Sequence, residues 1–258
     1  MIRMRKAMLL APLLLAVAAA LGVTSWRLHR QQQPAKLALY FHPFVGPEPL
    51  LLNKSSYPNP GGEGRFKVRD FQFLLSNIRL VSPTGSYAEA DSYHLVRFDG
   101  EDSVFVIVLH GVPRRNYERI EFGIGVDPAA NRSLASRGEL DPNGRMAWSW
   151  EVGYKFVLFE GALLRGNASV PLIYHLGFEE NYRPISTELS RQQLEGHPAR
   201  LDFRVDLLRL FRGSTNINMA ALPSVKFDRA DAALLARNFA AMVMPMWPDA
   251  AGRPDGAR

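Results

Sequence analysis

The chain has 258 residues, 31 Lys and Arg against 25 Asp and Glu for a formal net charge of +6, and no cysteine. The lack of thiols excludes a disulfide framework, a thiolate metal site and a cysteine nucleophile. Acidic residues interleave with the arginines, and part of the basic excess sits in the first few residues, so the charge does not point to nucleic acid.

Arg3, Arg5 and Lys6 precede an apolar stretch from about Met8 to Trp26, the pattern of a Sec-type export signal. Ala18, Ala19 and Ala20 offer a cleavage site, but an apolar run of about 18 residues or more can also span a bilayer. Cleaved signal and uncleaved anchor both stand. With only Arg27 and Arg30 after the stretch, the positive-inside rule leaves the N-terminus cytoplasmic and the body outside, in the periplasm or tethered to the inner membrane. No cysteine follows the stretch, which excludes a lipoprotein anchor. Residues 1–34 are thus a signal or anchor with a linker, 35–247 the body and 248–258 a disordered tail. The body, roughly 215 residues without an evident linker, is long enough for one sizeable core.

Within the body, short alternating runs are punctuated by Gly, Pro, Asn and Asp, the pattern of an all-β domain. Leu37, Leu39 and Phe41 alternate with Ala38, Tyr40 and His42, so a first strand turns His42 away from the face of Phe41; Pro43 then ends ladder donation. After a turn-rich stretch comes Phe66 to Leu80, a bent strand or two strands broken near Arg69 and Asp70. Further strands are expected at Tyr93 to Phe98, Val104 to Leu109 and Tyr117 to Val126. Asp127 to Arg145 is a long polar loop, a length more often functional than idle. Strands resume at Trp148 to Trp150, Tyr154 to Phe159, Val170 to Leu176 and Leu201 to Leu208. One helix is expected from Asp228, its N-cap, to about Val243, stopped by Pro245. The sum is a mainly β single domain, a β-sandwich or barrel-like fold with one C-terminal helix.

Hydrolase, zinc-protease, Walker and dinucleotide motifs are all missing. Gly123 and Gly125 lack a third glycine and a following helix, and acidic pairs such as Glu179 with Glu180 or Asp202 with Asp206 read as solvated faces. The chain is therefore expected not to be an enzyme in its own right. What stands out is the run from Arg145 to Phe156. On one extended strand Met146, Trp148, Trp150 and Tyr154 share a face, and the two indoles make a large aromatic surface. Tyr174, His175 and Gly177 follow downstream.

These segments resemble the MbnP-like proteins, copper-binding proteins associated with methanobactin systems and other bacterial copper-handling operons. The likeness covers nearly all of the exported body. It rests on Tyr40 to Gly46, Phe73 to Leu80, Phe122 to Asp127 with Asn131, Leu140 to Pro142, Met146 to Trp150, Gly153 to Phe156 and His175 to Gly177, all in order. It implies a copper site in which one tryptophan is oxidised to kynurenine by a partner di-haem protein of the MauG type, related to cytochrome c peroxidases. On that carry-over His42 and His175 are the candidate ligands, and Trp148 or Trp150 is the modified residue. The chemistry agrees: an indole offers a metal only an N–H, whereas kynurenine presents an amine and a carbonyl, and imidazole suits copper.

Met242, Met244 and Met246 beside Trp247 form a second, weaker soft-metal candidate, against the plainer reading of methionines filling gaps at a helix end. Asp127, Asn131 and Asp141 have the chemistry for a hard cation, although turn and capping duties explain them equally well. His94, His110 and His197 read as surface residues, and His29 belongs to the membrane-proximal linker. The alternative to copper binding is a metal-free cell-envelope binding or assembly module with the tryptophan pair as core or partner surface. A carbohydrate platform would need both rings exposed.

Overall fold

The structure, a computed structural model, describes residues 35–98, 104–133, 135–149, 151–189, 200–214 and 216–246. The expected export segment, the tail, His29, Trp150, His197 and Trp247 lie outside those residues. Among the described residues no helix is long and apolar enough to cross a membrane.

The strands are β1 (Ala35–Val45), β2 (Glu48–Pro49), β3 (Tyr57–Pro58), β4 (Arg65–Ser82), β5 (Gly85–Ala88), β6 (Tyr93–Arg97), β7 (Phe105–Val112), β8 (Arg119–Ile124), β9 (Ala147–Ser149), β10 (Gly153–Arg165), β11 (Ala168–Gly177), β12 (Arg183–Glu188), β13 (Arg200–Asp206), β14 (Ser224–Val225) and β15 (Val243–Pro245). A five-stranded sheet runs β15-β13-β1-β2, with β7 also paired to β1. A ten-stranded sheet runs β12-β8-β4-β10-β11-β14, with β3, β5 and β6 also on β4 and β9 on β10.

Alternation decides which way each strand faces. Leu37, Leu39 and Phe41 of β1 are buried, as are Leu201, Phe203 and Val205 of β13. The two strands run parallel with Phe41 opposite Phe203, and their rings stack at 5.3 Å. Phe122 of β8, in the other sheet, meets Phe203 edge-on at 5.8 Å. The sheets therefore pack core face to core face as a sandwich. Phe159 and Tyr174 close on Phe211 from the larger sheet, each at 5.0 Å between ring centroids. Each such side chain removed from water contributes about 1.5–3 kcal/mol.

The mainly β, single-sandwich fold is the expected one, with local differences. Pro43 does not end β1: the strand continues to Val45, and the Pro43 carbonyl accepts the Leu50 N–H at 3.1 Å. Phe66 to Leu80 belongs to one 18-residue strand, bent by register shifts opposite Glu160 and near Asn77. The polar loop contains a short helix, α1 (Pro128–Asn131), and α2 (Leu208–Phe211) follows β13.

The single C-terminal helix is split. Asp228 caps α3 (Arg229–Ala236) by accepting the Asp231 N–H, as its sequence position suggests. The chain then breaks at Asn238, whose buried amide donates to the Leu210 carbonyl at 3.1 Å. After α4 (Phe239–Met242), residues 243–245 pair with β13 instead of extending the helix. Pro245 sits inside that strand, where β13 is its one ladder neighbour among the described residues, and a proline is tolerated in such an edge position.

Candidate metal centre

The two candidate histidines occupy different sheets and point away from the shared core. His42 follows Phe41 on β1, so its imidazole stands on the outer face of the five-stranded sheet. There His42 Nε2 lies 2.7 Å from Asp202 Oδ1, and Arg200 also binds that carboxylate. Burial would push the Asp202 carboxyl up, but the hydrogen bonds from His42 and Arg200 win and hold it at about 2. An ionised carboxylate only accepts, so His42 donates.

His175 follows Tyr174 on β11, and since Tyr174 points into the core, the imidazole stands on the outer face of the ten-stranded sheet. Its Nε2 lies 2.9 Å from Glu160 Oε1. Glu160 also accepts from Arg69 at 2.7 Å and Arg145 at 3.0 Å, and Arg145 pairs in addition with Asp70. Burial alone would raise the Glu160 carboxyl, but Arg69, His175 and Arg145 hold it at about 2. The His175 imidazole is pushed down, chiefly by burial and further by Lys155 and Lys226, against the Glu160 hydrogen bond that raises it. That direction favours the neutral ring, the protonation state a metal ligand needs.

The tryptophan run does not form one continuous strand. A turn closed by Val152 N–H on the Ser149 carbonyl reverses the chain, and β9 pairs back on β10 with Ala147 opposite Tyr154. The expected shared face of Met146, Trp148 and Tyr154 is thereby replaced by a hairpin, with Met146 and Tyr154 buried and Trp148 partly exposed. The Trp148 indole reaches across to β11. A Cβ built on Gly177 would lie 3.1 Å from Trp148 Cζ3, and Gly177 and His175, two residues apart on one strand, share the outer face. The indole also stacks on Phe227 at 4.8 Å and tilts against Phe178 at 5.5 Å, while Arg229 caps Phe178 at 4.3 Å. Phe227 is 65% exposed.

What holds the hairpin is a chain of polar contacts beginning in the loop. Asp127 accepts from the Tyr93 hydroxyl at 2.6 Å and from the Asn77 amide at 3.2 Å, and it also caps α1 through the Ala130 N–H. Asn131, at the end of α1, accepts the Tyr154 N–H at 2.9 Å and donates to the Val152 carbonyl at 3.1 Å. Gly153, at φ +85°, packs against the Asn131 side chain where a Cβ would clash. Asp127 and Asn131 thus have capping and bridging duties, and Asp141 accepts the Asn143 N–H in a turn at 2.8 Å. Trp148 lines a cleft of about 70 Å³ with Asn131, Ser133, Pro142 and Tyr154.

Met242 is buried in α4 and Met246 is nearly so, with Met244 on β15 opposite Arg204, a distribution suited to gap filling. His94 is not a free surface residue: its Nε2 lies 2.7 Å from Glu89. Among the described residues no group of three or more His, Asp or Glu is arranged to hold a metal ion.

A sequence profile of the MbnP family matches residues 34–227. The chain belongs to the MbnP family. Among solved structures, MbnP from Methylosinus trichosporium superposes with a TM-score of 0.52 at 16% identity, covering 72% of this chain and 83% of that one; at that identity the likeness is one of fold. No curated protein matches in sequence. Within this MbnP-family sandwich the expected convergence of His42 with His175 is corrected. Phe41 and Tyr174 each take the core side of their strands, so the neighbouring imidazoles are sent to opposite outer faces. The fold does bring Trp148 against Gly177, two residues along β11 from His175. Sequence reasoning missed Glu160, Arg69 and Arg145 as a unit, although the anticipated break at Arg69 and Asp70 was a signal of it.

Proposed function

We propose that this protein is an exported, periplasmic or membrane-tethered copper-binding protein of the MbnP family, acting in copper uptake, storage or homeostasis. Its site centres on His175 and the tryptophan hairpin. One tryptophan, Trp148 or Trp150, is oxidised to kynurenine by a partner di-haem protein of the MauG type; the protein is the substrate of that oxidation and not an enzyme itself. The reading is carried by the packing of Trp148 on Gly177, beside His175 on the same face. A neutral imidazole supplies one nitrogen donor, while an intact indole supplies none. Cleavage of the indole C2–C3 bond with two oxygen atoms from a dioxygen- or peroxide-level oxidant used by the di-haem partner, followed by hydrolysis of C2 as formate, frees an aromatic amine and a ketone carbonyl, donors that copper accepts together with imidazole. The donor set present therefore fits a site completed by modification.

The test is co-expression with a candidate di-haem oxidase, followed by mass analysis of the tryptic peptide Met146–Lys155, which holds both tryptophans. The mass change of indole ring opening is expected, together with copper binding that His175→Ala abolishes. An unaltered peptide removes the maturation step. Copper binding that is absent, or indifferent to His175, leaves a metal-free envelope module.

A further inference from the structure

The bulge in β4 has a chemical product. Glu160 pairs with Asp70 and Gly161 with Val68, so Arg69 stands in the ladder without an opposite residue. A bulge of this kind turns two successive side chains to one side, and both Arg69 and Asp70 reach the outer face. Gly161 is required opposite it, because a Cβ there would strike the Lys67 carbonyl. The result is a carboxylate gripped from both flanks. Glu160 Oε2 accepts from Arg69 and from Arg145, and its other oxygen, Oε1, is left for His175 Nε2. The two side chains are diagonal neighbours across β10 and β11, since His175 pairs with Leu158 and Ile173 with Glu160. They are 14% and 17% exposed.

A carboxylate held by two guanidinium groups can only accept, so the proton of a neutral His175 resides on Nε2 and the ring's lone pair on Nδ1. The structure assigns Glu160 the part of a positioning residue that fixes the His175 tautomer and ring plane and presents Nδ1 as the copper-binding nitrogen, a role that rests on the copper reading above. A ligand imidazole braced in this way keeps its lone pair aimed and becomes a better donor; removing such a brace costs about 10–100-fold in metal affinity. Arg69 and Arg145 act one step further out, since they stop Glu160 from turning to coordinate the metal itself.

The experiment begins with nitrogen-15 NMR of the histidine rings in the metal-free full chain, matured by co-expression with the di-haem oxidase. His175 is expected as a single tautomer with the proton on Nε2. Adding Cu(I), which is diamagnetic, should move the Nδ1 resonance and leave the Nε2 proton in place. Competition titration of Cu(I) should then show a loss of about 10–100-fold for Glu160→Ala and a smaller one for Glu160→Gln, whose carbonyl still accepts from Nε2. The NMR arm needs no variant, so it decides the matter even if Glu160→Ala folds poorly. A proton on Nδ1, or copper on Nε2, overturns the assignment. If His175→Ala abolishes copper binding while Glu160→Ala leaves it within a factor of about two, the positioning role alone falls. If His175→Ala binds like the parent chain, the copper reading falls with it.

Discussion

The Trp148 indole lies against Gly177, with Cζ3 only 3.1 Å from where a Cβ would stand. A glycine at that position lets the ring settle on the strand that carries His175. Gly177→Ala would press on the ring and also on the Tyr154 carbonyl, so overpacking of about 1–3 kcal/mol is expected. Differential scanning calorimetry reads the loss of stability. A red shift in tryptophan emission, and a smaller fraction of oxidised peptide after co-expression, would accompany it if the ring is lifted.

Separating the histidines by sheet gives a second expectation. His42→Ala should leave copper affinity within about threefold of the parent, whereas His175→Ala should remove the site; loss of one ligand of few exceeds the 10–100-fold typical of an outer partner. Isothermal titration of copper into the matured proteins compares them. Equal losses from the two substitutions would refute the division.

Asn131 ties the hairpin to α1 through two backbone groups. Its replacement by Ala leaves the buried Tyr154 N–H unpaired, at a cost of about 1–3 kcal/mol. Amide exchange at Tyr154 should quicken by more than exchange in β4 or β13, and copper affinity should fall because Trp148 loses its seat. Uniform acceleration everywhere would mean that Asn131 supports only global stability.

Acid should weaken the domain through its depressed carboxylates. Asp202 is held at about 2 against an ordinary 3.8, and Glu160 at about 2 against 4.5. A carboxyl lowered on folding adds stability that is complete above its unfolded value and disappears as pH falls through its folded value. The window of loss therefore runs from about pH 4.5 down to about pH 2. Asp202→Asn should lower Tm most at neutral pH, and the gap from the parent should close towards pH 2. A gap that stays constant with pH would show that the His42 and Arg200 contacts contribute nothing through charge.

Much of this was legible in the sequence because strand alternation is a local property. The side taken by Phe41 and Tyr174 could be read from their neighbours, and so could the outward turn of His42 and His175. Which sheet each strand joins is not local. β1 and β11 carry similar patterns, and nothing in either run says that they lie in layers packed back to back. The tryptophan run misled for a related reason: Glu151 to Gly153 contains one glycine, and its left-handed turn becomes obligatory only once Asn131 is packed against it. The Asp228 cap was readable from its side chain, but the break at Asn238 depends on the Leu210 carbonyl, which approaches from 28 residues away.

The parallel pairing of β1 with β13 has a consequence for how the molecule comes to exist. His42 and Asp202, whose side chains meet across that pairing, are 160 residues apart in sequence. The first strand of the body must therefore wait, unpaired on that side, until nearly all of the polypeptide has emerged. Folds dominated by such distant pairings form slowly, and under the export proposed above slowness would favour a chain threaded through a translocase before it closes. The order of strands that hides the first one in the middle of a sheet would, in an exported chain, postpone folding to the far side of the membrane.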